Sequence, residues 1–167
     1  MCQAMFRYLA LILACIAIWF GVQPSPAFAA DHAYQLELVH RTQKNVLCSY
    51  PVDPGDEFSL HYTHSSDHTP IVDRFQVTSQ GQIVLVEEKF AWYGAGLAFH
   101  PRENIDLSKT WTRTHMHRHM DPFYLRVGRV AGHSLHIEDQ MTPLQDIAPG
   151  GTSLWIRVRP KGEPCHE

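Results

Sequence analysis

The chain of 167 residues has only four cysteines, and two of them, Cys2 and Cys15, stand within an apolar N-terminal stretch. It has no excess of positive charge. Fourteen Lys and Arg against 17 Asp and Glu leave a formal net charge of -3, which removes the basic footprint on which nucleic-acid binding rests. No apolar run reaches the roughly 20 residues that cross a bilayer comfortably as a helix. No segment keeps apolar residues at helical spacing for three turns, so a helical bundle is excluded. There is no internal repeat and no low-complexity linker, and at this length there is room for one domain and not for a multidomain enzyme. Disorder is excluded too, because 44% of the residues are hydrophobic and only 19% charged.

What is there begins with an export signal. A single charge, Arg7, precedes the apolar run from Tyr8 to Val22, which is followed by Gln23, Pro24, Ser25, Pro26 and then Ala27-Phe28-Ala29. That is the order of charged region, apolar region and small-residue cleavage site. Cleavage after Ala29 is expected, making residues 1–29 a signal peptide and 30–167 a single extracytoplasmic, periplasmic domain. An uncleaved anchor is the alternative, since Pro24 and Pro26 would end such a helix equally well. Contact with a membrane is then expected only through that segment.

Removing residues 1–29 leaves two cysteines, Cys48 and Cys165. Two cysteines left in an oxidising compartment usually pair. A bridge between them would close a long loop, worth up to roughly 4 to 5 kcal/mol in the chain-entropy model. Two separate thiols are the alternative.

Period-two alternation dominates the remainder. In Phe58-Ser-Leu-His-Tyr-Thr-His64, Phe58, Leu60 and Tyr62 share one face while Ser59, His61 and Thr63 share the other. The same period recurs at Tyr34 to His40, Ile71 to Thr78, Gln82 to Glu87, Phe123 to Val127, Ser134 to Ile137 and Leu154 to Val158, with turns at Pro54-Gly55, Ser79-Gln80-Gly81 and Gly150-Gly151. The expected fold is all-β, an antiparallel β-sandwich or partly open barrel of about seven to nine short strands. Val72, Phe75 and Val77 break the alternation, which predicts a bulge near Asp73 and Arg74. Ala91 to His100, with Gly94 and Gly96 among Trp92, Tyr93 and Phe99, reads as a packed loop.

At Tyr62-Thr-His-Ser-Ser-Asp-His-Thr-Pro-Ile-Val-Asp-Arg-Phe75, followed by Glu87-Glu-Lys-Phe-Ala-Trp-Tyr-Gly-Ala-Gly-Leu97, the chain resembles the DUF1850 family of domains of unknown function. In that family a strand ends in Tyr-x-His-Ser, Pro-Val and an acidic residue come next, and a Gly-Ala-Gly loop follows a Glu and a Phe. Here Ser66 stands where the family usually has Val, and Asp73 where it usually has Glu. The resemblance covers most of the chain after the signal. Its members are often encoded beside tripartite transporters of the TAXI class, which implies an accessory role with transporter permease or solute-binding subunits as partners and organic acids as cargo.

Two constellations follow. His64, Ser65, Glu88 and the backbone of Gly94 and Gly96 form a candidate ligand- or partner-binding set at one rim of the sheet, where glycine N–H groups can hold a carboxylate. His64 and Ser65 are adjacent, so on a regular strand they point to opposite faces and make no nucleophile and base pair. The expectation is therefore a non-enzymatic module with no cofactor. The alternative is a periplasmic metal-binding protein. His115, His117 and His119 recur at period two, so on a strand all three imidazoles share a face, and imidazole with Met116 and Met120 nearby suits Zn or Cu. A fourth ligand from His133, His136 or Asp121 would be needed.

Overall fold

A computed structural model describes residues 32–65, 68–91, 105–107 and 111–162, the third of these as backbone. His32–Glu167 forms one compact unit. Its strands are β1 (Tyr34–His40), β2 (Val46–Val52), β3 (Glu57–Thr63), β4 (Pro70–Val77), β5 (Ile83–Phe90), β6 (Ile105–Leu107), β7 (Thr112–His119), β8 (Phe123–Arg126), β9 (Ser134–Ile137), β10 (Gln140–Pro143) and β11 (Ser153–Pro160), with the one-turn helix α1 (Leu144–Ile147) before the last. A four-stranded sheet runs β2-β1-β11-β8 and a seven-stranded sheet β10-β9-β3-β4-β5-β7-β6. Every pairing is antiparallel.

The all-β sandwich read from the period-two pattern is the fold. Leu36 and Leu38 of β1 and Leu154 and Ile156 of β11 face Phe58 and Leu60 of β3, Phe75 and Val77 of β4, and Leu135 of β9, all buried in one cluster. Three aromatic rings join the layers: Phe75 stacks on Phe58 with ring centroids 5.0 Å apart and meets Phe123 of the other sheet, also at 5.0 Å. Leu144 of α1, fully buried, closes the core beside β10. The hairpin joining β4 to β5 turns at Gly81, whose φ of 70° suits glycine, and a Cβ there would lie 2.6 Å from the Tyr34 ring.

The expected bulge is present beside Arg74, but its extra residue is on the neighbouring strand. β4 alternates without a break, Ile71, Asp73, Phe75 and Val77 sharing the inner face, and the extra residue is Val86 on β5, where the register passes from Arg74↔Glu87 to Phe75↔Leu85. An inward carboxylate at Asp73 looks, in sequence, like a missing apolar position. Cys48 is half-buried against the core and carries a free thiol. The expected Cys48–Cys165 bridge is accordingly not made in this structure, and Cys165 lies outside the described residues.

Candidate functional site

The central strands of the large sheet bring one polar rung onto an otherwise apolar inner face. Register places Leu60 opposite Asp73, Asp73 opposite Glu88, and Glu88 opposite Thr114, so β3, β4, β5 and β7 contribute one side chain each to a line across the sheet. The next rung, Tyr62, Ile71, Phe90 and Thr112, is largely apolar, with Phe90 fully buried. Directly opposed side chains on neighbouring strands have Cβ atoms about 4.5 to 5.5 Å apart, and like charges placed so are destabilising. Asp73 and Glu88 are such a pair.

Tyr62 reaches diagonally across β3 and β4, and its hydroxyl donates to Asp73 Oδ2 at 3.1 Å. Arg118, four residues beyond Thr114 on β7, holds its guanidinium 3.9 Å from Glu88 Oε1. Asp73 Oδ1 and Thr114 Oγ1 are buried with no hydrogen-bond partner among the described residues. Burial first, and the neighbouring Glu88 second, push the Asp73 carboxyl up to about 7, against the smaller opposing effects of the Tyr62 hydrogen bond and Arg118. The Tyr62 phenol is pushed well above its ordinary value, by burial and then by Asp73. The rung therefore carries a carboxyl group poised between its two forms near neutral pH, and it holds acceptor oxygens in a setting of low polarity where a donor is worth more than in water.

Tyr62 is fixed from its other side by His133, whose ring centroid lies 5.2 Å away. His133 Nδ1 accepts the Gly128 N–H at 3.0 Å, and burial lowers its basicity. Of the expected binding set, the structure puts Glu88 in the rung. His64 and Ser65 are elsewhere, in the turn after β3. The His64 N–H donates to Thr69 O at 2.8 Å and its carbonyl accepts from the His68 N–H at 3.1 Å, while Ser65 is exposed. Because Thr63 pairs with Pro70, this turn lies three residues along β4 from Asp73, about 10 Å at strand spacing. Gly94 and Gly96 lie outside the described residues.

The three histidines do share a face. β7 alternates with Thr112 and Thr114 inward, which leaves His115, His117 and His119 exposed on the outer side. His117 and His119 meet edge to face at 5.5 Å, and His115 Nδ1 lies 3.5 Å from Glu87 Oε2. Two proposed fourth ligands are engaged, His133 as above and His136 Nε2 with Ser134 Oγ at 2.9 Å. Among the described residues, a closer gathering of ligand atoms is His32, Asp53 and Asp56, within 4.8 Å of one another. Its atoms fasten the residues just before β1 to the turn after β2: His32 Nδ1 to Asp53 Oδ2 at 3.0 Å, the Ala33 N–H to Asp53 Oδ1 at 2.8 Å and the Asp53 N–H to Asp56 Oδ2 at 2.7 Å.

The sequence profile described as "Domain of unknown function (DUF1850)" matches residues 58–144, from the start of the inner face of β3 to the first residue of α1. The chain belongs to the DUF1850 family. The matched stretch contains every member of the rung, so this domain's family core and its buried polar site are one region. No curated protein and no solved structure matches the chain. The sequence of this DUF1850 domain does not bring Asp73, Tyr62 and Thr114 together; strand pairing does. Two signals bear on the site: Tyr62 and Asp73 both stand in the family motif, and Asp73 is an acidic residue in phase with Ile71, Phe75 and Val77.

His61, which reads from the sequence as a surface residue, is half-buried and stacked on His136 with ring centroids 3.7 Å apart. Ser59 Oγ meets His61 Nε2 at 3.0 Å. Burial, and then the neighbouring His136 and Lys89, hold its basicity below the ordinary value.

Proposed function

We propose that this DUF1850 domain is an exported, non-enzymatic accessory or binding module associated with a TAXI-type tripartite transporter, and that it recognises its partner at the Asp73–Glu88–Thr114 rung, to which the Tyr62 hydroxyl is bound. The observation that carries the site is the pair of carboxyl groups set directly opposite one another on the inner face. Two carboxyl groups repel an organic acid, so the rung suits a donor, an N–H, an O–H or a cationic side chain, better than the transporter's anionic cargo. A permease or solute-binding subunit supplies such donors. The non-enzymatic reading is supported by the separation of His64 and Ser65, in their turn, from the rung about 10 Å away. Export and periplasmic location rest on Arg7, the apolar run and the small residues Ala27 to Ala29.

The test is affinity purification of the natively expressed, C-terminally tagged chain in gentle detergent. Transporter subunits should accompany the unaltered chain and be lost from an Asp73→Asn, Glu88→Gln double variant that keeps its circular dichroism spectrum. Recovery of the same subunits by both forms removes the rung from partner recognition, and recovery of the chain alone by both contradicts the accessory reading.

A second reading, a periplasmic metal-binding protein, is favoured by the common outward face of His115, His117 and His119. A Zn or Cu titration decides it. Binding by the chelator-treated protein that is lost in a triple His→Ala variant supports the metal site, and equal affinity of the two forms rejects it.

A further inference from the structure

The outer face of the four-stranded sheet is separate from the rung and has a different charge. Its strands β1, β2, β8 and β11 contain a single acidic residue, Glu37, against Arg126, Arg157 and Arg159. Glu37 is engaged by Arg157, whose Nη2 lies 2.7 Å and Nε 2.8 Å from its Oε2. The turn between β1 and β2 adds Arg41 and Lys44, both exposed. In a chain of formal net charge -3, this concentration of cations is a local reversal of sign.

The same face carries aromatic rings beneath those cations. Leu154 and Ile156 are buried inward, so Trp155 and Arg157 project outward, and register sets Trp155 beside Tyr124 of β8. The Arg41 guanidinium lies 4.3 Å from the Tyr124 ring centroid, that of Arg157 4.7 Å from Trp155, and Lys44 Nζ 5.9 Å from Trp155. The two rings are 6.3 Å apart, and Tyr124 is 46% exposed. Tyrosine and tryptophan interleaved with Lys and Arg are the side chains enriched where protein meets the headgroup layer of a bilayer.

We propose that this face is a docking surface for an anionic phospholipid bilayer, with Arg41, Lys44 and Arg126 facing headgroup phosphates and Tyr124 and Trp155 at the interface. The apolar run from Tyr8 to Val22 supports a bilayer over an acidic polypeptide as the occupant, because it brings the chain to a membrane during export and, uncleaved, would keep it there. Such a surface orients the domain on the membrane, a contact separate from the N-terminal segment. Each Lys or Arg near an anionic surface adds favourably, and the attraction is screened by salt.

The experiment is co-sedimentation of the full chain with large unilamellar vesicles of phosphatidylcholine alone or of phosphatidylcholine with phosphatidylglycerol. Neutral vesicles measure what the N-terminal segment contributes by itself. Anionic vesicles are expected to bind at least about tenfold more tightly, with the excess abolished by high salt or by Arg41→Glu with Lys44→Glu. Both substituted positions are exposed and outside the core, so the variant should keep its thermal midpoint. Equal binding to the two kinds of vesicle overturns the proposal, as does an anionic excess undiminished in the folded double variant. Binding to soluble polyglutamate without binding to anionic vesicles also overturns it, in favour of an acidic polypeptide.

Discussion

Asp73→Asn should make the protein more stable at pH 8 and flatten the fall in its stability between pH 4 and pH 8. The Asp73 carboxyl is raised from an ordinary 3.8 to about 7 in the folded state. Below the lower value, folded and unfolded chains both hold the proton and the stabilisation is complete. Between the two values the unfolded chain releases its proton while the folded chain keeps it, so stability falls as pH rises. Above about 7 the folded chain must hold the ionised Asp73 carboxylate buried opposite Glu88, and the contribution is gone. Its size is on the order of 4 kcal/mol across the window. Asn keeps the shape and an acceptor for the Tyr62 hydroxyl but cannot ionise. His61 and His133, whose basicities are lowered, act in the opposite sense, their contribution being lost as pH falls. The difference between unaltered protein and variant isolates Asp73. Urea denaturation at pH 5 and pH 8 measures it, and a variant that parallels the unaltered protein at both pH values would show that Asp73 ionises in the ordinary range.

The second large effect is expected at Phe75→Ala. This side chain is 1% exposed and stands where the two sheets meet, stacked on Phe58 of its own sheet and against Phe123 of the other. Truncation removes buried apolar area and leaves a cavity whose walls belong to different layers, so neither can collapse inward without breaking strand pairing. The cost should be about 3 to 5 kcal/mol by chemical denaturation. A loss under about 1 kcal/mol, the range of a tolerated swap, would mean that Phe75 does not join the layers.

Both predictions depend on which way β4 faces, and that was only partly legible in the sequence. β1, β3 and β9 are plain because their inward positions, Leu36 and Leu38, Phe58 and Leu60, and Leu135 and Ile137, are all apolar and their outward ones mostly polar. β2 carries Cys48, Ser49 and Pro51, and β10 has an exposed Met141, so neither has an apolar period to read. β7 faces the interior with Thr112 and Thr114, which identity alone does not distinguish from surface residues. The same difficulty hid the site. Glu88 was legible as a candidate and Asp73 as an acidic residue in phase with apolar ones, but only register sets the two opposite one another, and Thr114 joins the rung through the pairing of β5 with β7, on which local sequence is silent. His64 and Ser65 attract notice as reactive residue types, and the turn uses the backbone of His64.

The rung accounts for where the family region, the buried polar atoms and the perturbed carboxyl group coincide, and its defining property is the protonation of Asp73. Carbon NMR of the Asp73 side-chain carboxyl, followed across pH in the folded protein and assigned through Asp73→Asn, measures that property directly. A midpoint near 7, moving down when Glu88→Gln removes the neighbouring charge, is the predicted result. A midpoint in the ordinary carboxylate range, unmoved by Glu88→Gln, would contradict the opposed carboxyl pair on which the proposed recognition site rests.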